Sequence, residues 1–199
     1  DECVMTLYDA QNQVTGLIGI HVDDLLVAGN GTYFEAQMKR LEKELPFGSR
    51  KYGQFTYTGI QVHQKGNGPI TIDQCHYIEQ LEFMPCKHLD PNRRIPTEEH
   101  TNFSALCGSL AWAALNTRPG KAFDVSWLAS KGVDATGQEV NFGNKILRKM
   151  KHEPVQFTYT KITDRLDDWR FVTFHDAGWA SRVSLHSQVG GALFAVHPK

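Results

Sequence analysis

No apolar run in the sequence approaches the ~20 residues that span a bilayer, and no segment has the form of a signal peptide. A membrane partner and secretion are therefore not expected; the reading is an intracellular protein, cytoplasmic or nuclear. Cysteine is scarce. Cys3, Cys75, Cys86 and Cys107 show neither CxxC spacing nor the density of a disulfide scaffold, and they read as reduced thiols, Cys107 as a core residue. An excess of either charge is also missing: the net charge of −1 gives no global pull toward nucleic acid, although a basic stripe can be balanced elsewhere. The nine histidines include no HxxxH or Cys–His spacing that would suggest zinc. Repeats and low-complexity segments are absent. What remains is 41% apolar and 22% charged over 199 residues, enough to bury one large core or two small ones. The chain starts on Asp1 and ends on a β-like run, so either end reads as a cut within something longer.

Residues 4–9 and 15–29 alternate or run apolar around a Gln-Asn turn signal and read as strands, the second folded back on itself. Phe34, Met38, Leu41 and Leu45 set a helix over 32–45, which Pro46 ends. Residues 54–63 are β-rich, and Gly66–Pro69 turns the chain into Ile70–Ile72. Asp73 suits the N-cap of a short helix through Leu81. Residues 85–101, with three prolines and paired charges, read as a linker. Helices follow over 102–116, 123–130 and 138–151, with breaks at Pro119 and Pro154; Trp112, Phe123 and Trp127 sit at core positions in them. Strand-like segments return at 155–160, 169–175 and 188–196. The fold class is α+β.

The stretch TGLIGIHVDDLLVAGN, residues 15–30, holds Asp23 and Asp24 side by side inside an apolar run. Two neighbouring carboxylates repel, and burying either costs several kcal/mol without compensation. Strand alternation sends adjacent side chains to opposite faces, so the pair converges only at a tight turn. A hairpin with its tip at Val22–Asp24 achieves this and exposes both. The compensating charge is then a hard divalent cation such as Mg²⁺, which takes carboxylates together with substrate phosphates. A polar turn would explain the dipeptide alone, but these flanks are too apolar for an ordinary exposed turn.

HVDDLLVAGN resembles the YVDD box of reverse transcriptases, in particular the copia-type (pseudoviral) retrotransposon branch. The likeness continues in order. FEAQMKRLEKELPFGSRKYGQFTYTGIQV (34–62) is similar to the family's helix and the strand ending in its LGI-type primer grip. ITIDQCHYIEQL (70–81) is similar to its I-x-x-S-Q-x-x-Y-I-x-x-L block, and FSALCGSLAWAALNTRPGKAFDVSWLAS (103–130) to its thumb and connection block. NKILRKMKHEP (144–154) matches ILRYLKGTP. FVTFHDAGWASRVSLHSQVGGALFAV (171–196) resembles the opening of the family's ribonuclease H domain, whose first metal-binding aspartate corresponds to Asp176.

The resemblance implies a right-hand polymerase remnant: a partial palm over 1–84 with the catalytic hairpin and primer-grip-like strands, a linker over 85–101, and thumb and connection helices over 102–154. Residues 155–199 would open a ribonuclease H-like fold. Asp23 and Asp24 would be the catalytic metal ligands of Mg²⁺-dependent nucleotidyl transfer, with template–primer, dNTPs and the remainder of the Pol polyprotein as partners. His21 stands where the family usually has Tyr, against the primer. The family takes a further metal-binding aspartate and its fingers from well upstream, whereas twenty residues precede His21. This chain by itself is therefore expected not to synthesise DNA, and the alternative is an inactive remnant that at most binds nucleic acid.

Other residues keep two readings. Lys145, Arg148 and Lys149 share a helix face that either tracks phosphates or is a solvated basic face. Gly59 either admits a primer backbone or marks a bulge. Asp176 is either a metal ligand or a strand-end acid beside Trp179. Arg118 reads as a tie at the helix break.

Overall fold

The computed structural model describes residues 3–162, 168–178 and 188–196. It is a mixed α+β structure with small antiparallel sheets, divided into two compact units, Asp1–Tyr52 and Gly53–Lys199. No helix among the described residues is long and apolar enough to cross a membrane.

In the first unit, β1 (Val4–Tyr8), β2 (Val14–His21) and β3 (Asp24–Gly29) form an antiparallel meander, followed by α1 (Gly31–Glu44). Asp9 shapes the first turn, its Oδ1 accepting from the backbone N–H groups of Gln11 (2.9 Å) and Gln13 (2.8 Å). Gly16 and Gly29 face each other across β2 and β3 and open a slot for the Phe34 ring of α1; a Cβ on either would lie 2.6 or 2.4 Å from that ring. Apart from this contact the core is thin. Ile18 is the one buried apolar residue among those described here, while Val4, Met5 and Leu17 are exposed.

The second unit combines a sheet, a helical bundle and a separate ribbon. β4 (Gln54–Tyr57), β5 (Ile60–Gln64) and β6 (Ile70–Asp73) are consecutive hairpins, followed by α2 (Cys75–Gln80). Residues 54–63, continuous in the sequence reading, are broken by Thr58 (φ 50°) and Gly59 (φ 80°). These positive angles at both loop positions make a tight type I′-like hairpin turn whose twist matches the flanking strands. α2 takes Gln74 rather than Asp73 as its N-cap, although Asp73 Oδ1, at the end of β6, accepts from the Cys75 N–H at 2.9 Å.

The bundle consists of α3 (His100–Asn116), α4 (Ala122–Ala129) and α5 (Gly137–His152). Phe103, Leu110, Leu128, Val140, Leu147 and Met150 meet in its core, joined by Ile78 of α2. Helical spacing placed most of these inward, but Phe123 is exposed and Trp112 partly so; only Trp127 of the three aromatics packs within the bundle, edge-on to Phe142 with ring centroids 5.4 Å apart.

Residues 85–101 form a packed strap rather than a free connection. Leu89 and Ile95 are buried, the Ile95 N–H donates to the Ala135 carbonyl (2.9 Å), and the carbonyls of Asp90 and Pro91 accept from Gly137 and Gln138 at the start of α5. The strap thus takes up N–H groups that a helix start leaves unsatisfied. Thr136 completes the cap: its hydroxyl accepts from Gln138 N–H, and its own N–H donates to Glu139 Oε2 at 2.9 Å.

After the bundle, β7 (Gln156–Tyr159) returns to pair with β6, Ile72 opposite Phe157, as the fourth strand of the β4–β6 sheet. Sequence grouping had placed 155–160 with the strands that follow. Instead, among the described residues, β8 (Arg170–Gly178) and β9 (Gln188–Val196) pair only with each other, with Phe171, Phe174, Leu193 and Phe194 exposed.

Arg118 holds the junction of bundle and sheet. It is 5% exposed, and its Nη1 donates to the carbonyls of Thr117 (3.2 Å) and Val155 (3.1 Å) and to the Thr117 hydroxyl (3.1 Å). The Thr117 hydroxyl donates in turn to Gln74 Oε1 at 2.8 Å. One guanidinium therefore ties the α3–α4 break, the entry to β7 and the start of α2.

Two outcomes follow for stability. Arg118→Ala should cost about 3 kcal/mol or more in urea unfolding, because it strips charge-assisted bonds from buried carbonyls; Arg118→Lys should recover little, since an ammonium lacks the planar fork. At Glu139, burial raises the carboxyl pKa, but the Thr136 hydroxyl and N–H, with Lys131 nearby, outweigh it and hold the pKa below the usual value. Its contribution is complete above the ordinary carboxylate pKa of about 4.3 and disappears as the pH falls through the lower folded value. Thr136→Ala should cost about 1 kcal/mol at neutral pH and flatten that acid limb in unfolding curves recorded between neutral and acidic pH.

Candidate functional site

The two aspartates sit at the end of an apolar ribbon because β2 and β3 are joined by only Val22 and Asp23. The register runs from Gly16↔Gly29 to His21↔Asp24, so Asp24 opens β3 directly across from His21. Cross-strand partners project from the same sheet face, which puts the His21 imidazole and the Asp24 carboxylate side by side while Asp23 occupies the turn itself. Both carboxylates belong to exposed residues. Exposure, rather than a buried countercharge, is what makes the pair tolerable.

The turn is strained. Val22 has φ 54° and is 88% exposed. A β-branched side chain rarely occupies the left-handed region, and no packing of its side chain compensates. Strain at an exposed polar tip is the kind of feature that accompanies functional turns.

The donor set at this tip is two carboxylates with an imidazole beside one of them. Oxygen donors of this kind suit a hard divalent cation. Among the described residues, no group of three or more His, Cys, Asp or Glu stands close enough to hold a metal. The tip therefore presents two exposed carboxylates and a neighbouring histidine without forming such a group.

The remaining residues singled out in the sequence lie elsewhere. Asp176 is in β8, paired with Gly190 and exposed, with its Oδ1 accepting from the Ala177 N–H at 2.8 Å. It belongs to the second unit, Asp23 and Asp24 to the first. Trp179, read as its neighbour, lies outside the described residues. Gly59 is the second position of the β4–β5 turn, where its φ of 80° is one that L side chains rarely adopt. A Cβ there would also stand 3.4 Å from the Tyr77 ring. Turn geometry thus accounts for this glycine without a ligand.

Lys145, Arg148 and Lys149 are exposed together along α5, opposite buried Ile146, Leu147 and Met150. Among the described residues some cations are ion-paired and others, Lys39, Arg40, Lys43, Lys65 and Lys87 among them, are not. Arg93, Arg94, Lys121 and Lys131 each have a carboxylate: Asp90, Asp134, Glu153 and Glu139 respectively. No carboxylate pairs with the three α5 cations among the described residues.

Two residues of this face escaped the sequence reading. Phe83 lies beside it, with Arg148 Cζ and Lys151 Nζ each 5.6 Å from the ring centroid. Asn144 sets that placement through bonds to Met84, 60 positions away in sequence, a pairing no local spacing signals.

Relieving the turn tests its geometry. Val22→Gly removes a left-handed penalty of roughly 1–2 kcal/mol at an entropic cost of about 0.5–1 kcal/mol. Amide exchange in β2 and β3 should slow in the variant; faster exchange would contradict a left-handed conformation at Val22. No family model, no curated protein and no solved structure matches the chain.

Proposed function

We propose that this chain is part of a copia-type reverse transcriptase, with the β2–β3 hairpin as the metal-holding edge of a polymerase palm and α5 as a nucleic-acid-tracking helix of the thumb. The observation that carries the reading is the HVDD segment. It places two adjacent exposed carboxylates at one end of an otherwise apolar β-ribbon, Asp23 in the two-residue turn and Asp24 as the first residue of β3.

In this reading Asp23 and Asp24 would hold Mg²⁺, and their exposed oxygen donors fit that ion. When bound, the ion supplies charge neutralisation at the phosphates of the incoming nucleotide and at the primer end. The protein's own part is positional. The β2–β3 register fixes the separation of the two carboxylates, the Val22 turn presents them, and His21 stands beside Asp24 to meet the primer. Lys145, Arg148 and Lys149 would take the phosphates of a template–primer duplex, which orients without reading sequence. Asp176 would serve the ribonuclease H part.

A second reading, an inactive remnant that retains nucleic-acid binding, is favoured by the count of donors: two carboxylates are few for a two-metal centre. Primer extension with Mg²⁺ tests this second reading: incorporation that vanishes in Asp23→Asn would mark a working polymerase and overturn the remnant.

The family reading itself is tested by binding. Mn²⁺ titrated in place of Mg²⁺ should broaden the amide NMR signals of residues 21–25 first, and Asp23→Asn with Asp24→Asn should abolish that. The chain should bind a template–primer duplex, and Lys145→Ala, Arg148→Ala and Lys149→Ala together should lower the salt slope of log K by roughly two to three. Binding no better than that of an unrelated neutral protein, with no Mn²⁺ effect at the hairpin, would overturn the proposal.

A further inference from the structure

Arg118 is buried, whereas every other lysine and arginine among the described residues is half-buried or exposed. No carboxylate forms an ion pair with it among those residues. Its Nη1 makes the three bonds that tie the α3–α4 break to the entry of β7. The other two nitrogens fare worse: Nη2 reaches the Cys75 sulfur at 3.9 Å, a weak acceptor, and the buried Nε has no partner.

Gln74, fully buried, has a matching deficit. Its Oε1 accepts from the Thr117 hydroxyl at 2.8 Å, while its Nε2 is a buried donor without an acceptor. The same hydroxyl accepts from Arg118 Nη1 at 3.1 Å, so the two side chains converge on one atom. In each, a single carbon separates the spare nitrogen from the atom that meets Thr117, which puts both spare donors in one buried neighbourhood. The other orphaned polar atoms among the described residues, His100 Nε2 and Trp169 Nε1, belong to half-buried side chains. Asp73 reaches the cluster through Cys75: its Oδ1 accepts from the Cys75 N–H, and its Oδ2 stands 3.8 Å from His63 Nε2.

A buried donor that meets no acceptor forfeits its solvation, and a buried charge without a countercharge forfeits more. This neighbourhood has donors to spare, one positive charge and too few acceptors. A water molecule satisfies the donors and leaves the charge; a cation has the wrong sign. A multivalent oxyanion needs more donors than these two nitrogens offer. We propose that Arg118 Nε and Gln74 Nε2 together bind a small monovalent anion of chloride size, which supplies the acceptor and the countercharge at once. Because Arg118 lies at the α3–α4 break and Gln74 at the start of α2, the anion acts as a structural ligand that locks these two places together. The inference needs neither the hairpin nor the basic face of α5.

The test compares thermal unfolding of the full chain in sodium chloride and in sodium gluconate at equal ionic strength, so that screening is the same in both. Chloride at about tenfold its Kd should raise Tm by about 3–6 °C over gluconate, and the rise should saturate. The NMR line of chloride should broaden in the presence of the chain. Gln74→Glu places a carboxylate beside the guanidinium and so supplies the countercharge internally. It should melt in gluconate at or above the unaltered chain and lose both chloride effects. Gln74→Met removes the spare donor without adding charge and should weaken chloride binding about tenfold. Equal Tm in the two salts with no line broadening overturns the inference. So does stabilisation that climbs without saturating in gluconate as it does in chloride, which marks a general salt effect. A chloride response undiminished in whichever of the two variants folds places the anion elsewhere and also overturns it.

Discussion

The second unit depends on one buried guanidinium. Arg118 brings a permanent charge into the interior, which is costly unless its donors find acceptors; two backbone carbonyls and a hydroxyl accept from its Nη1, while its buried Nε has no partner among the described residues. Each acceptor belongs to a part of the chain that must stop or turn there. Thr117 closes α3, Val155 leads into β7, and Gln74, reached through Thr117, precedes α2. The bundle and the four-stranded sheet meet at this node, and β7 can pair with β6 because the chain leaving α5 is held there. Asn144 repeats the device on a smaller scale, replacing a backbone partner for Met84 with its own amide.

The hairpin of the first unit handles charge in the opposite way. Asp23 and Asp24 are not offset by a buried partner; the β2–β3 register drives them to the tip, where water solvates both. That placement needs a two-residue connection, and Val22 takes an unfavourable angle to provide it. The Gly16–Gly29 slot for Phe34 anchors the other end of the ribbon. A strained, exposed, doubly acidic tip on a ribbon anchored at its far end is a reasonable way to present carboxylates to a cation and its phosphates.

Much of the secondary structure was legible because it is local. Phe34, Met38 and Leu41 mark α1, and Pro46 lies just beyond its end; the apolar run around HVDD folds back where carboxylates cannot be buried. Misreadings came where one residue type serves several purposes. Gly59 gave no sign of a type I′-like turn because Thr58, its partner in the turn, is an unusual residue for positive φ. The prolines and charges of 85–101 looked like an open linker, yet Leu89 and Ile95 are buried and the strap's carbonyls cap α5. Phe123 had a core residue's spacing, but no element among the described residues covers that side of α4.

By itself, the sequence determined where helices and strands lie, that the chain mixes them, that two carboxylates share an apolar hairpin, and that α5 has a basic face. These follow from periodicities of two and 3.6 residues and from the cost of burying charge, which act over a few neighbours. Tertiary structure alone decided that β7 joins the β4–β6 sheet, that Arg118 joins three elements, and that Phe83 is held beside Arg148 and Lys151. Those pairings link residues tens of positions apart. They are selected by which buried polar groups find partners and which surfaces pack together, and no local pattern in the chain encodes that choice.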